Sequence, residues 1–491
     1  MRPMQAPLDP RRAAPARRRA TMVEARPQRN GEVARRGAGT GGGGVRRKCW
    51  TDDGGRANLS ACLRIFRKVD LKTAFGASEE ERAMLIRFGV ANHKSIRDWQ
   101  EISFVASSLK GGASQTIEAP GLKQRLLPAA LIYGANASGK SNVLDALSEM
   151  RRHVVDSFRK NEPNGKIARA PFALTERNDA PTTFEVDLLL AGVRYTYGFD
   201  VGDRAFTREW LHAYPHGHRQ VWFERDAEGP MRFGKGMKGA NRAIEGFLRP
   251  NALFLSTAAQ HGHWPTLSIS DFFHDQVEID FNDDEPGWLD HGLRKDQAER
   301  VIEFLSHADL GIDGFESAPN PSFDPTVVGL MPRKELIRFS HRGRDGARFA
   351  LGLDQESRGT RQMISLGLDA LRAIKRGCLM VLDELDASLH TDLALRIVSL
   401  FTDPRINTTG AQLIATTHDT NLLSSGVLRR DQVWFTEKDR EGATTLFPLT
   451  DFRTRREDNI ERGYLDGRFG AVPYLAPLEA FARGHEEEAD G

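Results

Sequence analysis

The chain has 491 residues, too many for one simple core, and its 69 Lys and Arg against 67 Asp and Glu give a formal net charge of +2. That balance is uneven, because residues 1–83 carry 19 basic and 9 acidic side chains, a net +10, which leaves −8 on residues 84–491. The basic character belongs to the first segment alone, so the remainder has no global electrostatic footprint for DNA, and any DNA contact must come from a local patch.

Residues 1–83 hold Arg11-Arg12, Arg17-Arg18-Arg19, Arg35-Arg36 and Gly41 to Gly44, with no sustained apolar period before Leu63. Such a composition cannot bury enough surface to fold, and it reads as a disordered basic extension. Folded patterning begins abruptly at Met84, which favours a start codon assigned too far upstream over a nucleic-acid arm or a transit peptide. Cys49, Cys62 and Cys378 make no metal or disulfide spacing, no apolar stretch is long enough for a bilayer, and no secretory signal is visible. The expectation is a cytoplasmic, reduced protein with no membrane contact.

The apolar run Ala129 to Tyr133 leads into Gly134-Ala-Asn136-Ala-Ser138-Gly139-Lys140-Ser141, and Val143, Leu144, Leu147 and Met150 follow at helical spacing. Strand, glycine-rich loop and helix in that order form a phosphate cradle. Gly134 and Gly139 allow the backbone to bare successive N–H groups, Lys140 supplies charge for the β- and γ-phosphates, and the Ser141 hydroxyl can ligate Mg²⁺. Asn136, Ser138 and Asn142 complete the expected nucleotide contacts. Such a loop reads phosphates and not bases, so it does not by itself separate ATP from GTP.

Phe184, Val186, Leu188 and Leu190 alternate with Glu185, Asp187 and Leu189, Ala191-Gly192 turns, and Tyr195, Tyr197, Phe199 and Val201 alternate again, predicting an antiparallel hairpin. Val221 to Glu224 predicts a further strand, and the hairpin aromatics read as sheet core rather than base-stacking groups. Residues 268–332 read as a compact helical insertion, with a helix over Gln297 to Leu310. No heptads are sustained, so a long coiled-coil arm is not expected.

Glu356-Ser357-Arg358-Gly359-Thr360 then precedes a helix with Ile364, Leu368 and Leu371 inward and Gly377 as its stop. Ser357 suits the N-cap, and its hydroxyl with the Gly359 N–H makes a second anion site. Cys378 to Leu382 is a buried-strand run ending in Asp383-Glu384. Asp383 would hold Mg²⁺ through its hydration shell, and Glu384 would orient and deprotonate the attacking water, which makes hydrolysis the expected activity. Gln412 to Thr416 is another strand, followed by Thr417-His418-Asp419, which places His418 at the same sheet edge as a sensor of the γ-phosphate or the polarised water. Beyond it, Asp451, Glu457, Asp458 and Asp466 are interleaved with Arg453, Arg455, Arg456 and Arg468, a salt-bridged surface rather than a nuclease metal cluster.

The phosphate loop lies 243 positions before Asp383, and Gly359 lies 24 before it, like a degenerate ABC signature. With Leu385-Asp386-Ala387-Ser388-Leu389-His390 and Thr416-Thr417-His418, the order of these motifs resembles the ABC-type ATPase heads related to SMC and OLD proteins. More narrowly, the chain is similar to the stand-alone prokaryotic AAA family ATPases of abortive infection and phage defence, from the opening Met84 to Ile96 to the closing Tyr464 to Pro473. The resemblance implies an α/β P-loop fold of ABC-head type, with a mixed central sheet flanked by helices, an antiparallel β lobe and a helical insertion. It implies ATP and Mg²⁺ as cofactors and a head-to-tail homodimer, in which Ser357 and Gly359 of one subunit complete the site around the other's Lys140 and Asp386 lies at the interface. It also implies a separately encoded effector, a nuclease or a toxin, with a DNA-repair ATPase that binds DNA directly as the alternative. The signature lacks the full Leu-Ser-Gly-Gly-Gln of transporter ATPases. For the glutamine loop, Gln260 is the best candidate and would be a Mg²⁺ ligand, because it follows the strand-like run from Phe254 and precedes a change in composition; the alternative is a plain solvated glutamine. The domains expected are residues 84–267 as an N-lobe, 268–332 as the insertion, 333–450 as a C-lobe and 451–491 as a C-terminal segment, after the extension 1–83.

Overall fold

The computed structural model describes residues 82–472, apart from 110–115, 176–177, 228, 281–298, 300–301, 303–310, 320–334, 344, 388–389 and 456. The basic extension, most of the Gln297 to Leu310 helix and everything after residue 472 lie outside the described residues.

Two large sheets organise the chain. The first is antiparallel and runs in the order β2-β1-β4-β5-β6-β7-β8, with β1 Ala83–Ala91, β2 Gln100–Ser103, β4 Thr182–Leu190, β5 Val193–Val201, β6 Phe206–Tyr214, β7 Gln220–Arg225 and β8 Arg232–Phe233. The hairpin expected at Ala191-Gly192 is β4–β5; both turn residues have positive φ, 48° and 74°, the geometry that matches strand twist in a two-residue turn. Val221 to Glu224 lies within β7, and Phe184, Tyr197 and Phe199 are fully buried, as sheet-core residues should be.

The second sheet runs β16-β15-β3-β14-β13-β9, with β3 Ala129–Gly134, β9 Val277–Asp280, β13 Leu379–Leu382, β14 Gln412–Thr416, β15 Val433–Lys438 and β16 Thr444–Pro448. All its pairings are parallel except β15–β16. Its strands are apolar on both faces because both are covered. Ala130, Ile132, Val381 and Ile414 pack with α1 (Lys140–Lys160) and the antiparallel sheet, whereas Leu131, Tyr133, Met380 and Leu413 pack with α5 (Arg358–Arg376) and α6 (Thr391–Thr402). Between α1 and α5 the chain forms α2 (Asn241–Glu245), α3 (Phe254–Gln260) and α4 (Trp264–Asp275).

The boundary of the insertion is corrected by this topology. Residues 268–280 finish α4 and form β9, which pairs in parallel with β13 and so belongs to the nucleotide-bearing sheet. Ile312–Pro319, placed inside the helical insertion without a helix of its own, is β10, joined to β11 (Glu335–Arg342) and β12 (Arg348–Gly352) in a small antiparallel sheet. Four residues in β9 are too few to show a period. No helix among the described residues is long and apolar enough to cross a membrane.

Candidate functional site

Parallel pairing gathers the predicted residues at one end of the six-stranded sheet. Register aligns Leu382 with Ala415 and Thr416 with Ile132, so Asp383 and His418 leave the sheet beside the loop that follows β3. That loop turns through Ala137 at φ 61° and Gly139 at φ 104°, and Lys140 opens α1. A Cβ on Gly139 would collide with Thr444 Oγ1, so glycine is required there for space as well as for angle. Asn136 and Ser141 are exposed at the mouth of the loop.

Lys140 is buried, and its Nζ donates to the carbonyls of Gly134 at 3.0 Å and Ala135 at 3.1 Å. Burial pushes its pKa down, against the pull of Asp383, Asp386 and Glu384. The cation thus has carboxylates around it at longer range and, among the described residues, is bonded only to carbonyl oxygens. The Ser141 hydroxyl donates to Asp383 Oδ1 at 3.2 Å. Two protein oxygens this close suit Mg²⁺, which binds through few protein groups when phosphates complete its shell.

Thr416, the last residue of β14, ties the carboxylates together. Its hydroxyl donates to Asp383 Oδ1 at 2.5 Å and accepts from the Glu384 amide at 2.7 Å. Glu384 sits at φ 52°, an uncommon angle for a residue with a Cβ, and its side chain is exposed to solvent at the site. Asp386 accepts from Thr417 Oγ1 at 2.7 Å and from the His418 amide at 3.0 Å. Desolvation, and then the Lys140 ammonium, lower the His418 pKa, with Asp386, Glu384 and Asp383 opposing.

A band of hydroxyls fixes the phosphate loop from behind. Ser138 Oγ lies 2.6 Å from Thr436 Oγ1, Thr444 Oγ1 donates to the Ser138 carbonyl at 2.9 Å, and Asn142 Nδ2 donates to Ser95 Oγ at 2.6 Å. The sequence assigns no role to Thr436, Thr444 or Ser95, and Thr416 enters it only as the end of a strand and the start of Thr416-Thr417-His418. The available signal is a threonine at the C-terminal end of an apolar run, which Thr416 satisfies.

Ser357 caps α5 as expected, accepting from the Thr360 amide at 3.1 Å, and Gly377 ends that helix at φ 72°. Its side-chain hydrogen bonds run only to Thr360 among the described residues, so Ser357 and Gly359 make no such link to the chain's own phosphate loop.

Gln260 is not at the site. The run from Phe254 is helix α3 rather than a strand, and it packs along the far half of α1: Ser256 Oγ accepts from the Phe158 amide, and His261 meets the Phe158 ring at 5.6 Å. At about 1.5 Å per helical residue, that end of α1 is roughly 25 Å from Ser141, which rules Gln260 out as a Mg²⁺ ligand there.

The family profile described as "AAA domain, putative AbiEii toxin, Type IV TA system" matches residues 129–235 and 250–424. The chain belongs to this family. Its nucleotide-binding character is therefore established at family level, and the α/β P-loop head with a mixed central sheet and an antiparallel lobe is the fold expected from sequence. Among solved structures the AAA domain is similar to the SMC head domain from Thermotoga maritima, at 15% identity over 74% of this chain and 98% of that one, with a TM-score of 0.35. No curated protein matches the chain.

Proposed function

We propose that this chain is an ATP-hydrolysing switch that works as a head-to-tail homodimer and controls a separately encoded effector in abortive infection. What supports hydrolysis is the juxtaposition of Lys140, Ser141, Asp383, Glu384 and His418 at one sheet edge, with a threonine hydroxyl joining the two carboxylate residues.

In the proposed reaction the loop amides and Lys140 would cradle the β- and γ-phosphates, and Ser141 and Asp383 would hold Mg²⁺, whose charge would offset that of the phosphates. The Glu384 carboxylate would accept a proton from water as it attacks the γ-phosphorus, while the bond from that phosphorus to the β,γ-bridging oxygen breaks and ADP leaves with the electron pair, giving ADP and phosphate. His418, whose pKa is lowered first by burial, can hydrogen-bond a γ-phosphate oxygen or that water. Ser357 and the N-terminal amides of α5 would meet the partner's γ-phosphate, an anion at a helix N-terminus.

The test mixes two full-length variants. Ser357→Arg blocks the surface offered to a partner, Lys140→Ala disables a chain's own loop, and a mixed dimer would contain one intact composite site. Each variant alone should be inactive, and mixing should restore ATP turnover. No recovery at any ratio, with heterodimers verified by two affinity tags, would sink the sandwich; a wild-type chain that binds ATP without turnover would sink hydrolysis.

A further inference from the structure

We propose that the face at the far end of α1, away from the phosphate loop, binds single-stranded nucleic acid. Two aromatic faces are presented there. Trp264 is 77% exposed and Phe247 is 60% exposed, unusual for side chains of their size. Phe247 lies parallel to His261, with centroids 5.2 Å apart and an interplanar angle of 11°.

Both surfaces are anchored from behind rather than loosely hung. His261 Nδ1 is 2.8 Å from the Thr257 carbonyl. His263, adjacent to Trp264, is buried, and its Nε2 lies 2.8 Å from Asn241 Oδ1. Gly239, at φ 112°, packs so closely on that imidazole that a Cβ would stand 2.6 Å from Nε2, and the backbone of neighbouring Lys238 hydrogen-bonds His263, the residue before Trp264.

Arg242 and Lys160 in this region are paired with Glu245 and Asp156, and Arg249 lies over the Phe158 ring, but three other cations are not paired with a carboxylate among the described residues. Lys235 and Lys238 are exposed on the loop Gly234-Lys-Gly-Met-Lys-Gly239, and Arg159 is exposed beside Phe158, whose ring meets His261. Among the described residues no carboxylate is in ion-pair range of these three. Arg159 is partly accounted for by the helix C-terminus it occupies, where a cation is favoured. No such local reason applies to Lys235 or Lys238. They stand out because residues 84–491 carry −8 overall.

Exposed flat rings, with exposed lysines on a nearby glycine-bearing loop, fit a strand whose bases are unstacked and whose phosphates approach backbone amides. A duplex would hide the base faces. An acidic protein segment would use the lysines but leave the exposed rings without partners.

The experiment is fluorescence anisotropy of a labelled 15-nucleotide oligothymidylate titrated with full-length protein and with Trp264→Ala, Trp264→Phe and Lys238→Glu. Loss of one stacking contact should weaken binding about 5- to 100-fold in Trp264→Ala, while Trp264→Phe, which keeps a ring, stays near wild type. Lys238→Glu should weaken binding and flatten its salt dependence by about one phosphate's worth. ATP turnover and melting temperature should be unchanged in all three. The Arg-rich extension is the same in every variant, so equal affinities across them, or no binding at all, would overturn the proposal. Displacement of the oligonucleotide by poly-L-glutamate at equal charge concentration would overturn it in favour of an acidic protein partner.

Discussion

In the antiparallel sheet, the Arg87 guanidinium reaches Glu101 and Glu185 at 2.6 Å and Asp187 at 3.4 Å, and Asp187 is further held by Arg194 at 2.6 Å and Thr196 at 2.5 Å. At the C-terminal edge of the six-stranded sheet, Lys140 has three carboxylates around it and bonds to none of them. Both sites are partly desolvated and both gather three acids, around Arg87 and Arg194 in the first and around Lys140 in the second. In the first the charges cancel within the fold, and burial of Arg87 is outweighed by its acidic partners, so its pKa is raised. In the second desolvation dominates and the Lys140 pKa is lowered, the state of a cation held ready for an external anion. A charge network that is closed does structural work; one left open marks a ligand site.

Lys140→Ala tests the open network and should have the largest effect. Nucleotide binding and turnover should both be lost, whereas the melting temperature without nucleotide should barely move, because the lost cation is desolvated and bonded only to carbonyls. Normal ATP affinity by calorimetry in this variant would break the comparison. Glu384→Gln keeps the shape and removes the base, so turnover should fall about 10²- to 10⁴-fold with ATP still bound. Wild-type turnover would move the base elsewhere.

Thr416→Val sharpens the comparison further, since it removes only the hydroxyl that joins Asp383 to the Glu384 amide. Loss of one hydrogen bond to a carboxylate is worth about 1.5–3 kcal/mol, so kcat should drop roughly 10- to 100-fold with KM for ATP nearly unchanged. Thr416→Ser should recover most of it. A fall in KM and kcat together, unrescued by Ser, would show that Thr416 serves the fold and not the alignment of the two carboxylates.

How much of this was legible in the sequence depends on the range of each signal. The phosphate loop, Asp383-Glu384, the Ser357 cap and the Ala191-Gly192 turn are written within a few neighbouring residues, and each is found where it was expected. The contacts of Thr416 with Asp383 and of Thr436 with Ser138 span 33 and 298 positions, and no local pattern records them. Gln260 was misplaced for the same reason. A seven-residue apolar run fits a strand or a buried helix. The cap that decides for helix α3 is the wholly buried Glu209 carboxylate, which accepts from the Phe254 amide at 2.6 Å and the Leu255 amide at 3.0 Å from 45 and 46 positions away. The residue in the cap position itself is Leu253, which gives no signal.

The smallest effect on activity is expected from Arg87→Met, the test of the closed network. Methionine keeps the apolar stem and removes the guanidinium, leaving Glu101, Glu185 and Asp187 clustered; Asp187, whose side chain is only 2% exposed, would retain Arg194 and Thr196. Because part of the pairing survives, the loss should be about 2 kcal/mol rather than the larger cost of an uncompensated buried charge. The urea midpoint should fall accordingly, while kcat and KM of the folded protein match wild type. The arrangement predicts this separation because Arg87 lies on β1 and its partners on β2 and β4 of the antiparallel sheet, and none is a loop or carboxylate of the nucleotide site. If ATP affinity or kcat fell with stability, the antiparallel sheet would be coupled to the phosphate loop, and the division between a closed structural network and an open functional one would not hold.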